Sequence, residues 1–262
     1  SFNMDRFSNV ISKDSSDKLL IVDEAHRFTK RSEELKIDYK YMLGLSATPY
    51  SGRSAASGKE LMKYFGGQVF NLPIETALER KFLVPYYYKP IFVYATGDEE
   101  DRFRKQSRII ASYFRNGKCI DSEGLAKALR NRLRIISMAQ AKIDGIGDFV
   151  NRIEEKDHVV VYCGDGRLYD DTGEEIRHIR QVKRVLNDLD FKASQFTAQE
   201  NMTERMELVD AFNKGEISAL AAIRCLDEGI NIPSIKSALI LSSNDDYREF
   251  VQRRGRILRL YD

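Results

Sequence analysis

The chain has 262 residues, enough for two domains of ordinary size, and is 42% hydrophobic and 31% charged with a net charge of +2. That near-neutral balance excludes bulk attraction to a polyanion, so any affinity for nucleic acid must reside in local patches. The three cysteines are far apart and the three histidines are too few for an obvious metal cluster, which excludes a disulfide scaffold and a cysteine zinc site and points to a reducing compartment, cytoplasmic or nucleoid-associated.

No apolar run reaches transmembrane length and no signal-peptide pattern opens the chain, so no membrane partner is expected. Residues 1–17 are mixed and polar, suiting a helix and a loop. Residues 18–26 then read Lys-Leu-Leu-Ile-Val-Asp-Glu-Ala-His. Four apolar residues ending in two acids suit a strand, Leu19–Val22, buried on both faces of a parallel sheet. Ligands of such sheets bind beyond the carboxyl ends of the strands. Asp23 and Glu24 therefore stand where a phosphate–metal complex would stand. One carboxylate suits Mg²⁺ held through water, and the next can orient a water attacking a γ-phosphate. Read alone, the same pair equally suits a surface cap of the helix that follows.

A second apolar run, Tyr41 to Leu45, ends in Ser46-Ala47-Thr48-Pro49, where hydroxyls can bridge a carboxylate and a water and Pro49 stops the strand. Gly52 to Glu60 imitates a phosphate loop but fails the pattern. Five residues separate Gly52 from Gly58, and Glu60 replaces the hydroxyl that would reach Mg²⁺. It reads as a surface loop leading into a helix over Lys59–Phe65. Short strands and a helix over Ile74–Lys81 are expected within residues 68–94, ending in the aromatic run Tyr86 to Tyr94.

Residues 98–151 read as largely helical. Ile110, Tyr113 and Phe114, then Leu125, Leu129, Leu133 and Ile136, recur at helical spacing, with Asn116-Gly117 as the break. From Arg102 to Arg134 ten Lys/Arg face two Asp/Glu, a local balance of +8 that could grip a phosphate backbone or simply be a solvated face. Beyond residue 158 strands and helices alternate: His158–Cys163, an Asp/Gly-rich loop, a helix over Glu174–Leu189, Lys192–Thr197, a helix over Asn201–Asn213, Ile217–Ile223 and Ser237–Leu241. A last helix opens at Asp246 and contains Gln252–Arg259. The rhythm argues for an α/β fold with parallel sheets.

Two late motifs carry chemistry. In residues 226–233, Leu-Asp-Glu-Gly-Ile-Asn-Ile-Pro, Gly229 permits close backbone approach and Asn231 can contact a ribose or phosphate. In residues 252–259, Gln-Arg-Arg-Gly-Arg-Ile-Leu-Arg, Arg256 and Arg259 share one helix face and could clamp a γ-phosphate or serve as a solvated basic face.

In chain order, D-E-A-H, L-S-A-T-P, D-E-G-I-N-I-P and Q-R-R-G-R-I-L-R resemble motifs II to VI of the superfamily-two helicases, and the last looks most like the XPB-like DNA translocases. The resemblance implies two RecA-like domains with ATP and Mg²⁺ bound between them. The first covers residues 1–97 and is truncated at its N-terminus, a basic helical insert covers 98–151, and the second domain covers 152–262. It implies that Asp23 holds Mg²⁺ through water, with Glu24 beside it activating the attacking water. His26, Ser46 and Thr48 would couple hydrolysis to movement, and Gln252, Arg256 and Arg259 would reach the γ-phosphate. Asn231 stands where many relatives have aspartate. Thr197, Arg130 and Arg134 would contact nucleic acid, DNA in preference to RNA. The family's phosphate loop lies upstream of D-E-A-H, where this sequence has only 22 residues. The expected reading is thus a fragment of a longer ATP-dependent DNA helicase or translocase, with further domains or subunits in the parent, inactive by itself. A motor subunit of a restriction or defence system shares these motifs, and a non-catalytic nucleic-acid-binding module is the alternative of a different class.

Overall fold

Leu19–Val22 and Tyr41–Gly44 form strands β1 and β2, paired in parallel with Leu19 opposite Tyr41 and Val22 opposite Gly44. The computed structural model describes residues 16–27, 39–50, 55–169, 175–223, 232, 235–242 and 255. Its described residues form one compact unit up to Ala77 and a second from Leu78.

In the first unit the pairing continues one step past the strands, through Leu45 N–H to Val22 O (2.8 Å) and Ala25 N–H to Leu45 O (2.8 Å). A single 3₁₀ turn, Ala25–Arg27, follows β1. Helix α1, Ala55–Phe65, packs behind β2. Gly44 is small for a reason, since a Cβ there would lie 3.1 Å from Ala25 Cβ and 3.2 Å from the Phe65 ring. Helix α1 begins four residues before the expected Lys59, because Ala55 and Ala56 favour helix and Gly58 lets it approach the preceding turn. A Cβ on Gly58 would sit 3.1 Å from Tyr50 Cα, so this glycine serves packing. Gly66 and Gly67, both at positive φ, end the helix.

Two expectations fail here. Strand β1 is not buried on both faces, for Leu19 and Ile21 are 57% and 56% exposed. Among the described residues the sheet has two strands and is covered by α1 and the 3₁₀ turn, which leaves the other face open. The strands expected within residues 68–94 are also missing. Helix α2, Ile74–Glu79, is the one regular element there, and Tyr86–Tyr94 has no ladder partner among the described residues.

The second unit opens with an αα-hairpin. Helix α3, Gly97–Ser112, starts in a capping box in which Thr96 Oγ1 accepts from Glu99 N–H while Glu99 Oε2 accepts from Thr96 N–H. Strands β3, Phe114–Arg115, and β4, Lys118–Cys119, form a tight hairpin around Asn116 and Gly117. Both turn residues have positive φ, as a type I′ turn requires. Helix α4, Ser122–Ser137, is N-capped by Asp121 and lies against α3, where Arg132 stacks over the Phe103 ring. Tyr113 and Phe114 therefore belong to the turn and hairpin, and Leu129 and Ile136 are exposed. The packed face of α4 instead includes buried Ala128. Short helices α5, Gln140–Asp144, and α6, Ile146–Val150, lead into the sheet. Glu99, itself buried, ties α3 to α5 by also accepting from Gln140 N–H at 2.6 Å.

The sheet has four parallel strands in the order β10-β5-β9-β8. They are β5 (Val159–Tyr162), β8 (Ala193–Phe196), β9 (Ala219–Ala222) and β10 (Ser237–Ile240). Every residue of β5 and β9 is fully buried, as their unbroken apolar runs require. One face packs Val159, Val161, Ala219 and Ala221 against α5, α6 and helix α7, His178–Asp188. The other packs Val160, Tyr162 and Leu220 against helix α8, Met202–Asn213, through Phe212. The expected helix over Glu174–Leu189 is shorter than its sequence suggests. Strand β7, Glu175–Arg177, pairs antiparallel with β6, Arg167–Tyr169, and α7 starts only at His178. The β-branched Ile176 finds a ladder partner in Leu168, and that pairing wins over helix propensity.

Candidate nucleotide site and nucleic-acid face

The adjacent carboxyl ends of β1 and β2 bring five predicted residues together. Asp23 Oδ1 accepts from Glu24 N–H at 2.8 Å, and Asp23 is exposed. Glu24 adopts a left-handed backbone, φ 49°, that non-glycine residues rarely hold. This turn sends the chain into the 3₁₀ turn carrying His26. There His26 Nδ1 lies 3.2 Å from Glu24 Oε2 and 3.1 Å from Ser46 Oγ. Ser46 Oγ in turn accepts from Thr48 N–H at 3.2 Å, and Thr48 is buried. A polar chain thus runs Glu24, His26, Ser46, Thr48 across the two strand ends. Its chemistry suits a hard cation that keeps most of its waters, with one exposed carboxylate to meet them and a second carboxylate beside it. No group of three metal-ligating side chains occurs among the described residues, so such a cation would draw its remaining ligands from water and phosphate.

The predicted nucleic-acid residues lie in the second unit. Lys127, Arg130 and Arg134 fall at helical spacing along α4 and are all exposed. Lys127 was missed as an individual site, although its spacing of three and seven from the two arginines was visible in the sequence. The loop after β5 passes under the end of this helix. A Cβ on Gly164 would lie 3.1 Å from Ser137 O, and one on Gly166 would run into the thioether of Met138, the residue that caps this helix, with Arg134 Nε next at 3.1 Å. These glycines are what let the strand end and the basic helix meet. Arg177 adds a further cation there, 3.5 Å from Asp165.

Thr197 is not placed as expected. It is buried, its hydroxyl donates to Glu200 Oε2 at 2.8 Å and accepts from Gln199 N–H at 3.1 Å, and its carbonyl accepts from Arg205. It shapes the turn after β8 and presents no hydroxyl outward. Gly229, Asn231, Gln252, Arg256 and Arg259 lie outside the described residues.

Near the ends of β5 and β10 sits a buried polar pair that sequence patterning did not single out. Lys142 donates to Leu241 O at 2.8 Å, and burial holds its ammonium below the ordinary lysine range. His178 is fully buried, and the Gly164 backbone offers its ring a hydrogen-bonding contact too weak to offset that burial. Desolvation, with the Lys142 charge adding to it, lowers the imidazole to about 4.

Residues 141–261 match the family of helicase conserved C-terminal domains. A DNA 3'-5' translocase, XPB2 of Sulfurisphaera tokodaii, is 24% identical over 266 residues, covering 93% of this chain and 56% of that protein. The Hef helicase domain of Pyrococcus furiosus superposes with a TM-score of 0.52 at 14% identity, covering 97% of this chain and 72% of that one. Over most of its length the chain is similar to superfamily-two helicases, and residues 141–261 carry the match to their C-terminal domain. A fragment assigned to the HsdR subunit of a type I restriction enzyme from Vibrio vulnificus YJ016 shares the fold of this chain, with a TM-score of 0.60 at 19% identity, over 98% of this chain and 43% of that one. The chain spans about half the length of the curated relatives it matches, 56% and 40% of two of them. Both units have the parallel α/β character expected of RecA-like domains.

Proposed function

We propose that this chain carries the hydrolytic and DNA-gripping parts of an ATP-driven DNA translocase or helicase. The observation that carries the reading is the polar chain at the ends of β1 and β2, which sets Asp23, Glu24, His26, Ser46 and Thr48 in mutual reach. Asp23 would hold Mg²⁺ through water, and the ion would offset the charge of the phosphates. Glu24 takes the proton of the attacking water, and His26 passes its position to Ser46 and Thr48. Arg256 and Arg259 supply positive charge to the γ-phosphate, which the Gln252 amide also reaches, and Gly229 and Asn231 approach the nucleotide. Arg130 and Arg134 contact the backbone of the bound strand. DNA is the favoured polymer because the similarity to a DNA translocase runs over 93% of the chain.

The test is DNA-stimulated phosphate release by the parent protein. Glu24→Gln keeps the size of the side chain but removes its basicity, and is expected to lower turnover by about 100-fold or more while ATP still binds. Turnover within threefold of the unaltered parent would overturn the assignment.

A further inference from the structure

The edge of the second sheet is closed at both ends and open in the middle. Strand β8 lies at this edge, and its register with β9 sets which backbone groups point outward. Lys192 O accepts from Ala219 N–H and Phe196 O from Ile223 N–H, so even-numbered residues bond to β9 and Ala193, Gln195 and Thr197 face away. Asn187 Oδ1 accepts from Ala193 N–H at 3.0 Å. Glu200 accepts from Thr197 N–H at 2.6 Å, and Arg205 donates to Thr197 O at 2.9 Å. Such side-chain caps blunt an edge against indiscriminate pairing. Among the described residues they leave Ala193 C=O, Gln195 N–H and Gln195 C=O, three consecutive ladder groups, open at the edge beside a groove of about 640 Å³ that Ser194 and Gln195 line.

The walls of that groove carry opposite charges. Arg180 and Lys183 of α7 form one rim and Glu204 and Glu207 of α8 the other. Helices α7 and α8 lie on opposite faces of the sheet, so the two charges flank the edge from opposite sides. A strand added to the edge sends successive side chains to opposite faces. The residue beside Gln195 would share its face, the α7 side, and meet Arg180 and Lys183. Its two neighbours would meet the α8 carboxylates. We propose that the open edge of β8 is a docking site for an extended peptide segment of a partner protein whose side chains run basic, acidic, basic. Three main-chain hydrogen bonds supply the pairing and the split charges select the order. A second copy of this chain is a poor occupant. Antiparallel edge-to-edge pairing about a two-fold axis normal to the sheet would set the α7 rims together and the α8 rims together, like against like.

The proposal is independent of the nucleotide chemistry, and its test uses the full chain without ATP or DNA. The probe is a fluorescent nonapeptide of alternating lysine and glutamate, followed by anisotropy. A peptide of the same composition, with all its lysines first and all its glutamates last, serves as the comparison. Saturable binding of the alternating peptide, at least about tenfold tighter than the block peptide, is expected. Gln195→Pro removes one outward N–H where an edge strand tolerates proline, and should weaken binding by about tenfold. The surface pair Arg180→Glu with Lys183→Glu should do the same and does not depend on how the strand accepts proline. No saturable binding, equal binding of the two peptides, or undiminished binding by both variants overturns the proposal. So does self-association through β8 in sedimentation of the chain alone.

Discussion

Glu24 and His178 each hold a state that an isolated residue would avoid, and in each case the surroundings explain it. The left-handed backbone of Glu24 turns the chain so that its carboxylate reaches His26 Nδ1. A backbone in this region costs on the order of 1 kcal/mol for a non-glycine residue. The ladder bonds from Leu45 to Val22 and from Ala25 to Leu45 pin both sides of the turn and hold it there. His178 is neutral because burial and Lys142 penalise its charged form, lowering it to about 4. Between pH 6.5 and 4 the unfolded chain takes up a proton that the folded chain refuses, so stability falls as pH falls through that window. The loss between pH 7 and 5 comes to about 2 kcal/mol. Urea unfolding of the second unit at the two pH values should show this loss, and His178→Leu should remove it. An unchanged pH dependence in the variant would show that another group carries it.

At the scale of elements, α4 joins two properties that are separable in the sequence. One face packs on α3 through Ala128 and Arg132, while Lys127, Arg130 and Arg134 stay exposed. The capping boxes of α3 and α8 and the aspartate cap of α4 set where these helices begin, so their exposed faces are fixed in rotation. If α4 grips the phosphate backbone, each arginine releases about one counterion on binding. Arg130→Ala and Arg134→Ala are each expected to reduce the slope of log affinity against log salt by about 1, with sequence preference unchanged. Fluorescence titrations of duplex and single-stranded DNA over a range of salt measure this. Slopes equal to that of the unaltered protein would place DNA elsewhere.

At the scale of the whole molecule, the described residues of the two units differ in how completely they cover their sheets. The second sheet has helices on both faces, and its core closes around Phe212, which is fully buried and packs edge-on to His158 at 5.3 Å. Phe212→Ala is expected to destabilise this unit by about 3–5 kcal/mol, because the side chain is large and the surrounding strands cannot collapse into the space. Chemical denaturation followed by far-UV circular dichroism would show it, and a cost below about 1 kcal/mol would mean the core relaxes freely.

The local chemistry of the chain was legible in advance because it depends on neighbours in sequence. Apolar runs placed β1, β5 and β10 to within a residue or so, Asn116-Gly117 announced a turn, and the residues at the ends of β1 and β2 were identified from the abrupt change from apolar to polar. What the sequence could not decide was which of two local preferences would be satisfied by a distant partner. Ile176 took a strand because Leu168 was available across a hairpin, whereas Tyr86–Tyr94, no less β-prone, found no ladder. Thr197 looked outward by type and was turned inward by Glu200 and Arg205. Burial of His178 and the caps on β8 likewise arise from residues brought together by packing. Periodicity and propensity are properties of the chain, but hydrogen-bond partners and desolvation come from tertiary contacts, and those alone settled where each polar group points.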